Sequence, residues 1–206
     1  MLYLSVMPYN IRSIDMVGLQ KKKYFFDSNM WLKILKPKFT LNSTDKKYLD
    51  FFQKFKDNTN NPKIVLTALV LSEVINRYLR DVTYSKFCKK KNLDQSNKSL
   101  YKSAYRPSDD FQTDYISLCE DIKAYQNHFE LVQDGLSVEI KQKDILTSPS
   151  QHLDFNDNYY YKLALKREYI LVTDDSDFFV PDVEIITLNN QLLDKFKSTI
   201  TPTTSP

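Results

Sequence analysis

Glycine is nearly missing: Gly18 and Gly135 are the only two in 206 residues. A phosphate-cradling P-loop and a dinucleotide fingerprint each need several glycines to bring backbone amides against phosphates, so neither can be written from this set. Cysteine is almost as scarce. Cys88 and Cys119 are too few for a disulfide framework and lack the paired spacing of a zinc site, which suits a reducing compartment. No apolar run approaches the ~20 residues of a membrane helix, and Met1 to Asp15 lacks the basic flank and continuous apolar core of an export signal. A cytoplasmic protein without a membrane anchor is the expectation.

What is present is the make-up of a folded chain. Hydrophobic residues are 42% and charged residues 27%, enough for one sizeable domain with an insertion. The net charge of +3 is too small to identify a partner, but its distribution is uneven. Lys86, Lys89, Lys90, Lys91, Lys98, Lys102 and Arg106 crowd a stretch interleaved with Tyr84, Phe87, Tyr101 and Tyr105. Such a stretch is commonly a solvated surface with snorkelling lysines. Beside an acidic site it can instead form a phosphate-binding wall with rings for unpaired bases, and Lys89, Lys90, Lys91, Lys98, Lys102 and Arg106 are its candidate RNA contacts.

The apolar pattern alternates strand and helix. Tyr24 to Phe26 reads as a buried strand ending in the polar turn Asp27-Ser28-Asn29, with a helix from Met30 broken at Pro37. A helix is predicted over Lys46 to Lys56, capped at Ser43 or Thr44, and a strand over Ile64 to Thr67. A long amphipathic helix follows from Ala68 to Tyr84. Ser108 caps a helix whose apolar positions run from Phe111 to Phe129. Short strands are possible around Leu131-Val132 and Val138 to Ile140. Tyr159 to Lys166 reads as a helix, Tyr169 to Thr173 and Val183 to Leu188 as strands, and Asn189 as the cap of a last helix through Phe196. Residues 1–20 read as a leader of uncertain role, 21–198 as one domain with an insertion at 84–107, and 199–206 as a disordered Thr/Pro-rich tail. The alternation implies an α/β fold with a parallel sheet.

In such a sheet ligands bind outside the carboxyl ends of the strands. Asp27 ends the first strand, Glu73 follows the second, and Asp174, Asp175 and Asp177 follow the strand ending at Thr173. Asp154 and Asp157 open the preceding helix. Several carboxylates in one place repel each other unless a cation joins them, and an all-oxygen set favours magnesium or manganese. Each acid also has a bland use: Asp27 as a turn aspartate, Glu73 as a helix-surface glutamate, Asp154 and Asp157 as helix-start acids worth ~0.3 to 1 kcal/mol each. His128 and His152 read as structural.

Four pieces together resemble the PIN-domain family, and within it the VapC-like toxin ribonucleases. They are the strand with Asp27-Ser28-Asn29, Ser72-Glu73-Val74, the run from Asp157 to Ala164, and Leu171-Val172-Thr173-Asp174-Asp175-Ser176-Asp177-Phe178, with sixteen residues from Asp157 to Thr173. The resemblance implies a three-layer αβα fold with a central parallel sheet and a magnesium or manganese site made by Asp27, Glu73, Asp157 and Asp175. Asp177 is a further metal candidate, with Asp174, Thr173 and Asn29 in support. It also implies RNA as substrate, a small antitoxin as partner and a homodimer. The middle of the chain is longer and more basic than in compact VapC-like proteins. Two other classes compete: a PIN-fold module that binds RNA or protein without cutting, and an Asp-nucleophile phosphatase, which needs a second acid where this chain has Asn29.

Overall fold

The computed structural model describes residues 9–35, 41–57, 62–135, 140–146 and 153–200. Pro37, most of the possible strand at Val138 to Ile140, His152 and the tail from 201 lie outside the described residues.

In chain order the elements are β1 (Asn10–Ser13), β2 (Lys23–Phe26), α1 (Ser28–Leu35), α2 (Ser43–Asp57), β3 (Lys63–Leu66), α3 (Ala68–Tyr78), α4 (Tyr84–Lys91), α5 (Asp109–Lys123), β4 (Phe129–Leu131), α6 (Gln142–Leu146), α7 (Phe155–Arg167), β5 (Ile170–Val172), β6 (Glu184–Thr187) and α8 (Asn190–Ile200). The strands form one sheet in the order β1-β6-β5-β2-β3-β4, and every pairing is parallel.

Layering follows from the period of two along β2. Tyr24 and Phe26 send their rings to Phe51 and Phe55 of α2, while Phe25 between them meets Tyr160 of α7. Helices therefore cover both faces, and both faces of β2 are buried, which explains an apolar run without alternation. The expected three-layer αβα architecture with a central parallel sheet is the one observed.

Several boundaries differ from the sequence reading. Asn10–Ser13, set apart as leader, pairs with β6 as an edge strand, and only Ile11 of its four residues is fully buried, so its pattern carries no strand signal. Helix α2 begins at Ser43 because the Asn42 side chain, not Ser43 or Thr44, accepts the Asp45 amide (2.7 Å). Helix α8 continues past Phe196 to Ile200. The long helix from Ala68 does not end at Tyr84. It passes through a wide turn, Leu79–Thr83, in which the Tyr84 amide reaches back to the Leu79 carbonyl, and runs on through α4.

Gly135 takes a left-handed turn (φ 70°), and with so little glycine other residues make three more among the described residues. Asn92 (φ 53°) ends α4 and Glu168 (φ 54°) ends α7, and Asp182 (φ 61°) turns into β6. The described residues contain no helix long and apolar enough to cross a membrane.

Candidate functional site

From β2 the chain moves outward through β3 to β4, then returns to the other side of β2 for β5 and β6. The direction of winding thus reverses between β2 and β5, the place where open α/β sheets leave a crevice at their carboxyl ends. Phe26 is level with Val172, so Asp27 and Thr173, each one residue beyond its strand, stand side by side over that crevice.

Asp27 is 2% exposed. Its backbone amide extends the ladder to the Val172 carbonyl (3.2 Å), Oδ1 accepts the Met30 amide (2.8 Å) at the start of α1, and Oδ2 accepts the Thr173 hydroxyl in a short bond. Burial pushes its pKa up to about 7 against the pull of those two hydrogen bonds, and the charges of Asp175 and Glu73 add to the rise.

Glu73 stands in the second turn of α3, a helix started by the Thr67 side chain accepting the Val70 amide (3.3 Å). Its carboxylate is held by four groups. Ser28 donates to Oε1 (2.7 Å), the Tyr160 hydroxyl to Oε2 (2.8 Å), the Asn156 amide to Oε2 (3.3 Å), and Arg77 lies 3.5 Å from Oε1. Arg77 also donates to Ser28 Oγ (3.1 Å) and to Asn29 Oδ1 (2.9 Å), so Asn29 supports the site through this arginine. Burial, then Glu73, raises the Tyr160 phenol far above its usual range.

Asp154 is the cap of α7: its carboxylate accepts the Asp157 amide at 2.9 Å. Asp157, one turn on, faces the crevice. Burial is the first cause that raises its pKa to about 8, followed by the charges of Asp154, Asp175, Asp27 and Glu73. Asp27, Glu73, Asp157 and Asp175 come from four separate elements and lie near enough for their charges to oppose one another.

The acids after β5 divide. Asp175 has its amide on Thr173 Oγ1 (2.9 Å) and its Oδ1 accepts the Asp177 amide (2.9 Å), so the turn closes on itself and Thr173 orients both Asp27 and Asp175. Asp177 is exposed, with its carboxylate on the Ser176 hydroxyl (3.4 Å). Asp174 turns away to accept from Tyr48 (2.9 Å) and pair with Lys33 (3.0 Å), while its carbonyl accepts from Asn189 (2.7 Å). Asp174 is a strap between α1, α2 and the start of α8. Beside the rim lies a cleft of about 400 Å³ lined by Asn29, Leu32, Lys33, Arg77, Asp174, Asp175, Ser176 and Asn189.

The donor types suit a hard divalent cation, and burial first, then the neighbouring carboxylates, raises Asp27 and Asp157, a cost of charge that such a cation would offset. As the side chains stand, no three acid, histidine or cysteine groups among the described residues surround a common point closely enough to hold a metal directly. Magnesium commonly keeps water between itself and its carboxylates.

Four partners of Glu73, namely Ser28, Arg77, Asn156 and Tyr160, escaped sequence reading. Only the i,i+4 spacing of Glu73 and Arg77 was available as a signal. In the basic segment, Tyr84, Phe87 and Tyr105 are not offered to bases; with Cys88 they form a second small core. Lys89, Lys91, Lys98, Lys102 and Arg106 are exposed, Lys90 is paired with Asp110 (2.6 Å), and none of them lines the cleft. The His128 ring lies edge-on to Phe52, away from the acids, and burial with the charge of Lys56 lowers its pKa.

No family model matches the sequence, and no curated protein matches it. Among solved structures, the crystal structure of VapBC2 from Rickettsia felis bound to a DNA fragment from their promoter is similar to this chain, with a TM-score of 0.43 and 14% identity over 80% of this chain and 98% of that one.

Proposed function

We propose that the chain is a divalent-metal-dependent endoribonuclease of the PIN class, hydrolysing RNA at the rim shared by Asp27, Glu73, Asp157 and Asp175. The observation that carries this reading is the convergence of these acids, from β2, α3, α7 and the turn after β5, at the reversal point of the sheet. Asp27, Asp157 and Asp175 would hold magnesium or manganese, with Glu73 and Asp177 contributing. A bound ion of this kind supplies Lewis acidity and lowers the pKa of water. Thr173 ties the Asp27 carboxylate to the Asp175 backbone, and Ser28, Tyr160 and Arg77 hold Glu73. The exposed lysines of the insertion favour a polyanionic substrate. On the motif resemblance we extend the reading to a toxin restrained by a small antitoxin and acting as a homodimer; arrested growth on expression, relieved by a co-expressed neighbouring open reading frame, is the outcome to look for.

One observation favours a second reading, a PIN-fold module that binds RNA or protein without cutting: Glu73 already has four partners. Labelled single-stranded RNA with magnesium, manganese or chelator separates the two. The nuclease reading expects cleavage by the wild type, lost by at least about 100-fold in Asp27→Asn and with chelator, while RNA binding persists. Binding without cleavage by the wild type would establish the module instead. Phosphate release from small monoesters would point to the phosphatase.

A further inference from the structure

The outer side of the insertion carries a pocket of about 620 Å³ lined by Arg80, Asp81, Tyr84, Gln95, Lys98, Tyr101 and Lys102. Its wall is fixed. The Tyr84 hydroxyl donates to the Asn97 carbonyl (3.0 Å), and the Tyr84 ring meets Tyr101 edge to face with centroids 5.4 Å apart. Gln95 accepts from Ser85 through its side-chain oxygen (3.0 Å), and its amide nitrogen is a further donor. Asp81, the acid in the pocket, accepts from Arg80 Nε (3.2 Å), leaving the two terminal nitrogens of that guanidinium.

Tyr101 is half-buried with the Arg106 guanidinium 5.8 Å from its ring centroid, and the exposed Lys98 and Lys102 line the pocket with it. Neither lysine has an ion pair or hydrogen bond among the described residues. Two uncompensated ammonium groups beside an aromatic ring and an amide donor are the elements that hold one unpaired nucleotide: ring for base, amide for base edge, ammonium for phosphate. The volume falls in the range of small-molecule pockets.

The position also fits. Arg80 lies seven residues after Glu73, in the wide turn that continues α3, so rim and pocket stand on one continuous helical stretch.

The geometry points to this pocket as a binding site for a nucleotide of single-stranded RNA, with its base on Tyr101 and its flanking phosphates on Lys98, Lys102 and Arg80. As a subsite of the substrate it rests on the nuclease reading, but its binding can be measured separately.

The test is equilibrium binding of a fluorescent single-stranded RNA oligonucleotide to the full chain in chelator, where no hydrolysis is expected. Tyr101→Ala should weaken binding about ten-fold and Tyr101→Phe should leave it unchanged. The exposed pair Lys98→Gln with Lys102→Gln should lower the slope of log affinity against log salt by about 1.4, at about 0.7 per phosphate contact. These two lysines make no contact that folding needs, so their result stands even where Tyr101→Ala destabilises the small core. An unchanged salt slope in the lysine variant overturns the site. So does a poly-glutamate peptide that binds as tightly as RNA and responds to the lysines but not to the ring, which would assign the pocket to an acidic protein segment. Cleavage by the wild type with unaltered binding in these variants removes the subsite and keeps the nuclease; altered binding without any cleavage does the reverse.

Discussion

Thr173 is completely buried, and its hydroxyl is both donor and acceptor: it gives its proton to Asp27 and receives the Asp175 amide. One hydroxyl thereby ties the ends of two strands to a pair of acids whose charges oppose each other. The stability consequence follows from Asp27 and Asp157, raised to about 7 and about 8 from an ordinary 3.8. Below about pH 4 both are protonated in folded and unfolded chains alike, and they contribute nothing to the difference. Between about pH 4 and 8 the unfolded chain has released these protons while the folded one still holds them, so without a cation stability falls as pH rises. Asp157→Asn should therefore raise the melting temperature of the metal-free protein by about 3 °C near pH 8, with no gain near pH 4, and should blunt the stabilisation that magnesium gives the wild type. Thermal melts at both pH values, with and without magnesium, check this; a variant melting below wild type at pH 8 would contradict a cost of burying that charge among its neighbours.

The helices show how local chemistry sets element ends. Glu168 holds φ 54° at the end of α7, where the Tyr169 amide returns to the Ala164 carbonyl (2.9 Å), a position that glycine takes without steric cost. Glu168→Gly should stabilise the protein by about 0.5 to 1 kcal/mol, the relieved left-handed strain exceeding the added freedom of the unfolded chain. A urea midpoint shifted upward at unchanged slope is the expected reading. The strands at Tyr24, Ile64 and Ile170 and the helices from Ser108 and Asp154 were legible because burial on both faces and side-chain caps leave local marks. The edge strand at Asn10 was not, since one buried isoleucine among polar residues has no period. Among the acids, the places of Asp27, Glu73 and Asp157 after strands and at a helix start were legible, while the preference for Asp175 within its turn came from the family resemblance. Asp174 was not separable from Asp175 by sequence, because its direction depends on Tyr48 and Lys33, far away in the chain.

At the level of the whole molecule two apolar cores coexist: the sheet with its two helix layers, and the small cluster of Tyr84, Phe87, Cys88 and Tyr105. Phe111 packs against both. Phe111→Ala should speed amide hydrogen exchange over Tyr84–Tyr105 by about ten-fold or more while the β2 and β5 amides keep their protection, a local loosening of the kind expected where one side chain couples two cooperative units. Uniform acceleration across the chain would show that the two cores are one unit. The wide turn at Leu79–Thr83 links them through the backbone. Such a turn spends one residue more than the α-helix around it, and one residue is about 100° of rotation. Deleting a single residue there would swing the lysines to another compass bearing, so the aim of the insertion is set by a count of one.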